Sequence, residues 1–321
     1  MSTMSAPKFR AIYGIIGEKA RIPWSIATLP VFLLLIVVAR LFSAGVMILP
    51  GFVAGAVRDA ASLEQYMKGL EAHGLSPLLL FASGFLILIP FIWTGLVENR
   101  SLASIGFTGR TWLVRYARGF IIGAAFLLVV VGAIFAAGGY EVEAVFPVGR
   151  AEDPGASFGL IGLFLAGFMI QSAGEETIYR GWWMSALAAR RGTAVALIVT
   201  SVFFALGHLG NIDPRLLESM VGVANVLLFG LFIGLYALRE GSIWGACGWH
   251  GAWNWLLGTG FGLEVSGYSI GGAPLLVDLK NAEGPVLLTG GAFGPEASLV
   301  ATAVLAIGCG WFLLRRRRHR D

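Results

Sequence analysis

Three short clusters carry the side chains that hydrolysis needs, and all three sit on apolar stretches. They are Gly174-Glu175-Glu176-Thr177-Ile178-Tyr179-Arg180, Phe203-Phe204-Ala205-Leu206-Gly207-His208 and Trp249-His250-Gly251-Ala252-Trp253-Asn254. Ionisable groups in an apolar run are costly to bury, so each is a functional candidate. Adjacent carboxylates also repel each other. On a helix, Glu176 and Arg180 are four apart and can pair, which leaves Glu175, about 100° around the helix, to point elsewhere. His250 and Asn254 are again four apart, on one face. Taken singly, each cluster has a plainer reading. The glutamates could end a solvated helix with Trp182 and Trp183 as an interfacial belt, His208 could be an interfacial side chain, and His250 and Asn254 could bond a neighbouring helix.

Spacing joins the clusters. Arg190-Arg191-Gly192 is the natural turn between two helices. Glu175 and His208 lie equally far from its centre, so at 1.5 Å per residue both stand roughly 25 Å from the turn. His250 lies about ten residues beyond the turn at Arg239–Gly241, roughly 15 Å deep, an offset of about 10 Å for kinks to close. This requires the helix to continue past Glu175 to about Arg190. A carboxylate beside two imidazoles and an amide suits water activation. Glu175 can act as a base, His208 and His250 can orient the water or, with Glu175, hold a divalent metal such as zinc, and Asn254 can donate to an oxyanion. His-Glu-x-x-His and Gly-x-Ser-x-Gly are both absent, and no cysteine adjoins a histidine, which argues against a soluble-type zinc helix or a serine or cysteine nucleophile.

The elements that must position these groups are membrane helices. Of 321 residues, 57% are hydrophobic, 13% are charged and 45 are glycine, with mean hydropathy +0.78. A soluble domain carries about a quarter charged residues. Apolar runs at 27–50, 76–96, 118–138, 157–181, 193–210, 221–238, 242–258 and 297–314 predict an all-α bundle of about eight spans, six at the fewest. Short intervening loops make 27–314 one integral domain, with 1–26 a cytoplasmic segment and 315–321 a basic cytoplasmic tail. No short signal-peptide core precedes the first run. With both termini inside, the outer segments hold only Arg58, Lys68, Arg150, Arg215 and Lys280 of the 23 basic residues. The inner segments hold the others, including Lys8 and Arg315–Arg318 with Arg320, apart from Arg40 within the first span. That asymmetry predicts cytoplasmic termini. Arg40 either snorkels to an interface or faces the bundle interior. Segment 259–296 reads as an outer loop that dips back or carries a short hairpin. Cys247 and Cys309 read as buried small hydrophobes.

Glu175-Glu176-x-x-x-Arg180, Phe204-x-x-x-His208 and His250-x-x-x-Asn254 together resemble the three motifs of the CAAX protease and bacteriocin-processing family. That family includes type II CAAX prenyl endopeptidases and abortive-infection membrane proteins. Segment 98–107 resembles the stretch that often precedes the family core, which would here run from about 97 to 260. The resemblance implies an intramembrane endopeptidase, with Glu175 activating water, His208 and His250 orienting it or binding metal, and Asn254 stabilising the oxyanion. Glu176 and Arg180 would support them and Phe204 would pack alongside. The implied partners are the bilayer and a peptide or membrane-protein substrate, prenylated or not, with no nucleic acid. High glycine and short loops point to a prokaryotic cytoplasmic membrane. Two other readings are a proton-coupled transporter, for which no internal repeat is found, and a non-catalytic immunity or interaction protein.

Overall fold

In lipid every backbone N–H and C=O must find a partner within the chain, so long apolar runs become helices. The computed structural model describes residues 9–72, 76–211 and 217–314; Lys8, Arg215 and the basic tail lie outside them. The helices are α1 (Thr28–Val53), α2 (Ala60–Ala72), α3 (Pro77–Ala82), α4 (Phe85–Ile92), α5 (Trp112–Ala136), α6 (Pro154–Glu176), α7 (Met184–Arg191), α8 (Thr193–Leu206), α9 (Leu217–Glu240), α10 (Trp244–Trp255), α11 (Val286–Thr289) and α12 (Leu299–Leu314).

Six stretches among the described residues are long and apolar enough to cross a membrane: Thr28–Val53, Pro77–Val97, Trp112–Ala136, Pro154–Arg191, Thr193–Asn211 and Leu217–Glu240. They answer the first six expected runs. The last two expected runs are helical but short, as α10, which continues in a π-helical turn to Gly260, and α12. The all-helical expectation also missed one small sheet. Strand β1 (Tyr140–Val145) pairs antiparallel with β2 (Val277–Asn281), with a bulge between Val142 and Ala144. Segment 259–296 therefore reaches back through β2 to the segment after α5, and it also carries a short turn closed by an antiparallel bridge between Val265 and Tyr268.

Two features matter for the site. The helix does run past Glu175, because α6, a π-helical segment (Thr177–Trp183) and α7 form one path of 38 residues. It ends at Gly192, whose φ of +86° opens the tight turn into α8 at a conformation that favours glycine. The second feature is the seating of α10 against α5. A Cβ on Gly119 would stand 2.0 Å from the Gly245 carbonyl oxygen, and one on Gly248 would stand 2.1 Å from that of Tyr116. Small residues thus bring the two backbones together, as membrane helices without a hydrophobic driving force require. This buries every residue of α10 from Gly245 to Asn254.

Candidate active site

Glu175 and Glu176 close α6, and the π-helical segment follows at once. A π-bulge widens the helix, and such bulges recur at functional sites. Because i→i+5 bonding fits more residues into each turn, counting at 1.5 Å per residue overstates the height of Glu175 above the turn. The expected offset from His250 shrinks accordingly. The bulge is braced from outside. Glu98 Oε1 accepts from Trp93 Nε1 at 2.9 Å and from Trp182 Nε1 at 3.0 Å. Arg100 donates to Glu98 Oε2 at 2.8 Å and to Ser185 Oγ at 2.7 Å. Burial lowers the pKa of Arg100, and the Glu98 charge works against that shift. Segment 98–107 thus contributes a buried clamp to the site. Arg100 and Arg180, counted by charge placement with the inner loops, are both buried.

The expected pair between Arg180 and Glu176 is present, with Nη1 donating to Oε1 at 3.2 Å. The same carboxylate oxygen takes a second bond, from His250 Nδ1 at 3.0 Å. An ionised carboxylate only accepts, so Nδ1 carries the proton and Nε2 of the neutral ring holds a lone pair. Glu175 Oε2 stands 3.9 Å from that Nε2. In the turn just past α8, His208 Nδ1 lies 2.8 Å from the Phe204 carbonyl oxygen. A carbonyl also only accepts, so His208 too keeps Nε2 unprotonated when neutral. Phe204 packs among these groups. Its ring centroid is 4.8 Å from that of His208 and 6.3 Å from that of His250, and the Arg180 guanidinium lies 4.1 Å from it. Asn254 Nδ2 donates to Gln171 Oε1 at 3.2 Å.

Glu175, His208, His250 and Asn254 line one cavity of about 550 Å³, so the three clusters converge as their spacing implied. Glu176 and Arg180 stand behind it as supports. Three contributions were missed in the sequence. Gln171 could have been found, because it lies four residues before Glu175 on the same helix face. Ser266 and Tyr268, which reach the cavity from segment 259–296, carry no local signal. Arg40 of α1 is exposed, lines the cavity and makes no hydrogen bond or ion pair among the described residues. Among the described residues no three His, Cys, Asp or Glu side chains lie close enough to hold a metal ion. The donor types of Glu175, His208 and His250 suit zinc, but they are not gathered around one point, and no step below is routed through a metal.

A polytopic helical membrane protein with a carboxylate, two tautomer-fixed imidazoles and an amide in one cavity has the equipment of a hydrolase. Residues 157–256 match the family model described as type II CAAX prenyl endopeptidase Rce1-like. That segment contains all three motifs, and it is similar to the CAAX-type membrane proteases. No curated protein and no solved structure matches the chain.

Proposed function

We propose that this protein is an intramembrane endopeptidase in which Glu175 activates water against a peptide bond presented in the membrane. The observation that carries the reading is the approach of Glu175 Oε2 to His250 Nε2 at 3.9 Å, on the wall of a cavity that also holds His208 and Asn254. A water molecule between those two acceptors donates one hydrogen to each. Glu175 takes a proton as the water oxygen attacks the carbonyl carbon. The oxyanion that forms accepts from the second N–H of Asn254, the first being held by Gln171. Glu175 then returns its proton to the amine nitrogen as the C–N bond breaks. Glu176 keeps His250 in the required tautomer, much as a buried carboxylate orients a catalytic histidine elsewhere.

The substrate is a peptide or membrane protein that reaches the cavity from the bilayer, and Arg40 on the wall offers a cation to an anionic group on it. Charge placement favours cytoplasmic termini, and high glycine with short loops favours a prokaryotic membrane. Glu175→Gln tests the reading in full-length protein reconstituted in nanodiscs, with quenched peptides bearing or lacking a prenylated C-terminal cysteine. Hydrolysis falls by roughly 10²- to 10⁴-fold while the melting temperature stays that of wild type. Full retained hydrolysis in the variant sinks the proposal. The prenylated and bare peptides report the substrate class. Exhaustive chelation should leave the wild-type rate unchanged.

A further inference from the structure

Segment 259–296 supplies a carboxylate for which the mechanism above has no use. Glu296 sits in a 3₁₀ turn (Pro295–Ala297) just before α12. Its Oε1 accepts from Trp253 Nε1 at 3.0 Å, and its Oε2 accepts from Ser266 N at 2.5 Å and from Ser266 Oγ at 2.9 Å. Trp253 is the α10 residue directly before Asn254. Ser266 takes a φ of +50°, uncommon for a residue with a side chain and a mark of functional sites where it persists. That conformation accompanies the aiming of its N–H at Oε2. The Glu296 backbone is also pinned. Asn225 Nδ2 donates to the carbonyl oxygens of Glu296 at 2.8 Å and Ser298 at 2.9 Å. Thr302 Oγ1 in turn donates to Asn225 Oδ1 at 2.7 Å.

A carboxylate used only to pin a loop to α10 would be an expensive choice under apolar packing. Its surroundings suggest more. Glu296 lines a second, smaller cavity of about 30 Å³, and His208, His250 and Asn254 line that cavity as well as the large one. Glu175 lines only the large cavity and Glu296 only the small one. The two histidines and the amide therefore form a partition with a carboxylate on each side. A polar cavity of this size takes one water molecule, which needs two to four polar partners. His208 has spent Nδ1 on the Phe204 carbonyl, so Nε2 is its one remaining ring nitrogen. Burial raises the pKa of Glu296, while the Ser266 donors draw it back down.

We infer that Glu296 is a positioning residue of the active site, holding His208 Nε2 through one water molecule in the small cavity. The water donates one hydrogen to the Glu296 carboxylate and the other to His208 Nε2, which fixes the plane of the ring beside the reacting carbonyl. The site thus extends beyond residues 157–256 into segment 259–296. The role in catalysis rests on the hydrolytic reading above, whereas the contact itself does not.

Glu296→Gln in the full chain tests it by two readouts at a single pH. The chain has four histidines, so the ring ¹⁵N signals of His208 can be assigned by their loss in His208→Gln. Glu296→Gln should move the unprotonated nitrogen of His208 downfield as its hydrogen bond is lost. It should also lower kcat roughly ten- to a hundredfold, as misplacement of a catalytic group does, with KM close to wild type. Should Glu296→Gln not fold, Glu296→Asp keeps the charge, withdraws the carboxylate by one methylene and should give the same shift and loss. An unmoved His208 signal in the folded variant overturns the inference. If Glu175→Gln abolishes hydrolysis while Glu296→Gln keeps wild-type kcat, this inference alone fails. If Glu175→Gln leaves hydrolysis intact, the hydrolytic reading fails and the ¹⁵N shift still decides whether Glu296 holds His208.

Discussion

The molecule has two large hollows, and the one without the chemistry is the larger. The cavity between α1, α6, α8 and α10 measures about 550 Å³. A groove between α5, α9 and α12 measures about 770 Å³ and is walled by residues such as Ile122, Phe126, Val129, Phe232 and Val304. Its charged residues, Arg118, Arg239 and Glu240, gather at one end, where Arg118 and Glu240 are paired at 2.5 Å. The groove has no histidine and no side-chain amide, and its one carboxylate, Glu240, is already committed to Arg118 and to the Gly245 N–H. The smaller cavity has both, with each imidazole fixed in tautomer by a dedicated acceptor. Space is easily made where apolar helices diverge. A reaction site requires polar groups whose second bonds are already committed, so that the first bond is left for substrate.

Four substitutions sharpen that contrast. The largest effect is expected from Glu176→Ala, which strips the partner from Arg180, a side chain only 1% exposed, and frees His250 to rotate. Leaving a buried charge uncompensated costs about 3–5 kcal/mol, read as a lowered denaturation midpoint in detergent, and hydrolysis should fall with it. Glu175→Gln should spare stability, so the two adjacent glutamates separate structure from chemistry. If both variants lose stability alike, the division of labour is wrong. Arg40→Gln comes next. Loss of one charge-assisted contact, roughly 1.4 kcal/mol, should raise KM about tenfold for a substrate whose anionic group it meets, with kcat unchanged. An effect on kcat alone would place Arg40 among the supports instead. The smallest is Val129→Phe, which fills the apolar groove from a residue 57% exposed. Stability should stay within about 0.5 kcal/mol of wild type, and the rate should not change. A loss of activity there would mean that the groove takes part in the reaction.

Much of this arrangement is legible in the chain, for identifiable reasons. Apolar runs report helices because lipid leaves no alternative for the backbone. The equal spacing of Glu175 and His208 about Gly192 reports their meeting because an antiparallel hairpin with a glycine turn converts sequence distance into height. The Glu176–Arg180 pair follows from helical periodicity alone. Segment 259–296 is different. Ser266, Tyr268 and Glu296 reach the site across a chain with no repeating pattern, held by a left-handed serine and by hydrogen bonds to Asn225 and Trp253, both distant in sequence. The β1–β2 pairing joins segments more than a hundred residues apart and has no local signature.

By itself the sequence determined the bundle, the hairpin of α6 through α8 and the identity of the groups that could activate water, since each follows from local burial costs and helical geometry. Tertiary structure decided which nitrogen of each histidine carries its proton, because only the packed neighbours, Glu176 and the Phe204 carbonyl, choose a tautomer. It also decided that Arg40 faces the cavity and that a second carboxylate stands behind His208. Both depend on long-range contacts, and no spacing along the chain encodes them.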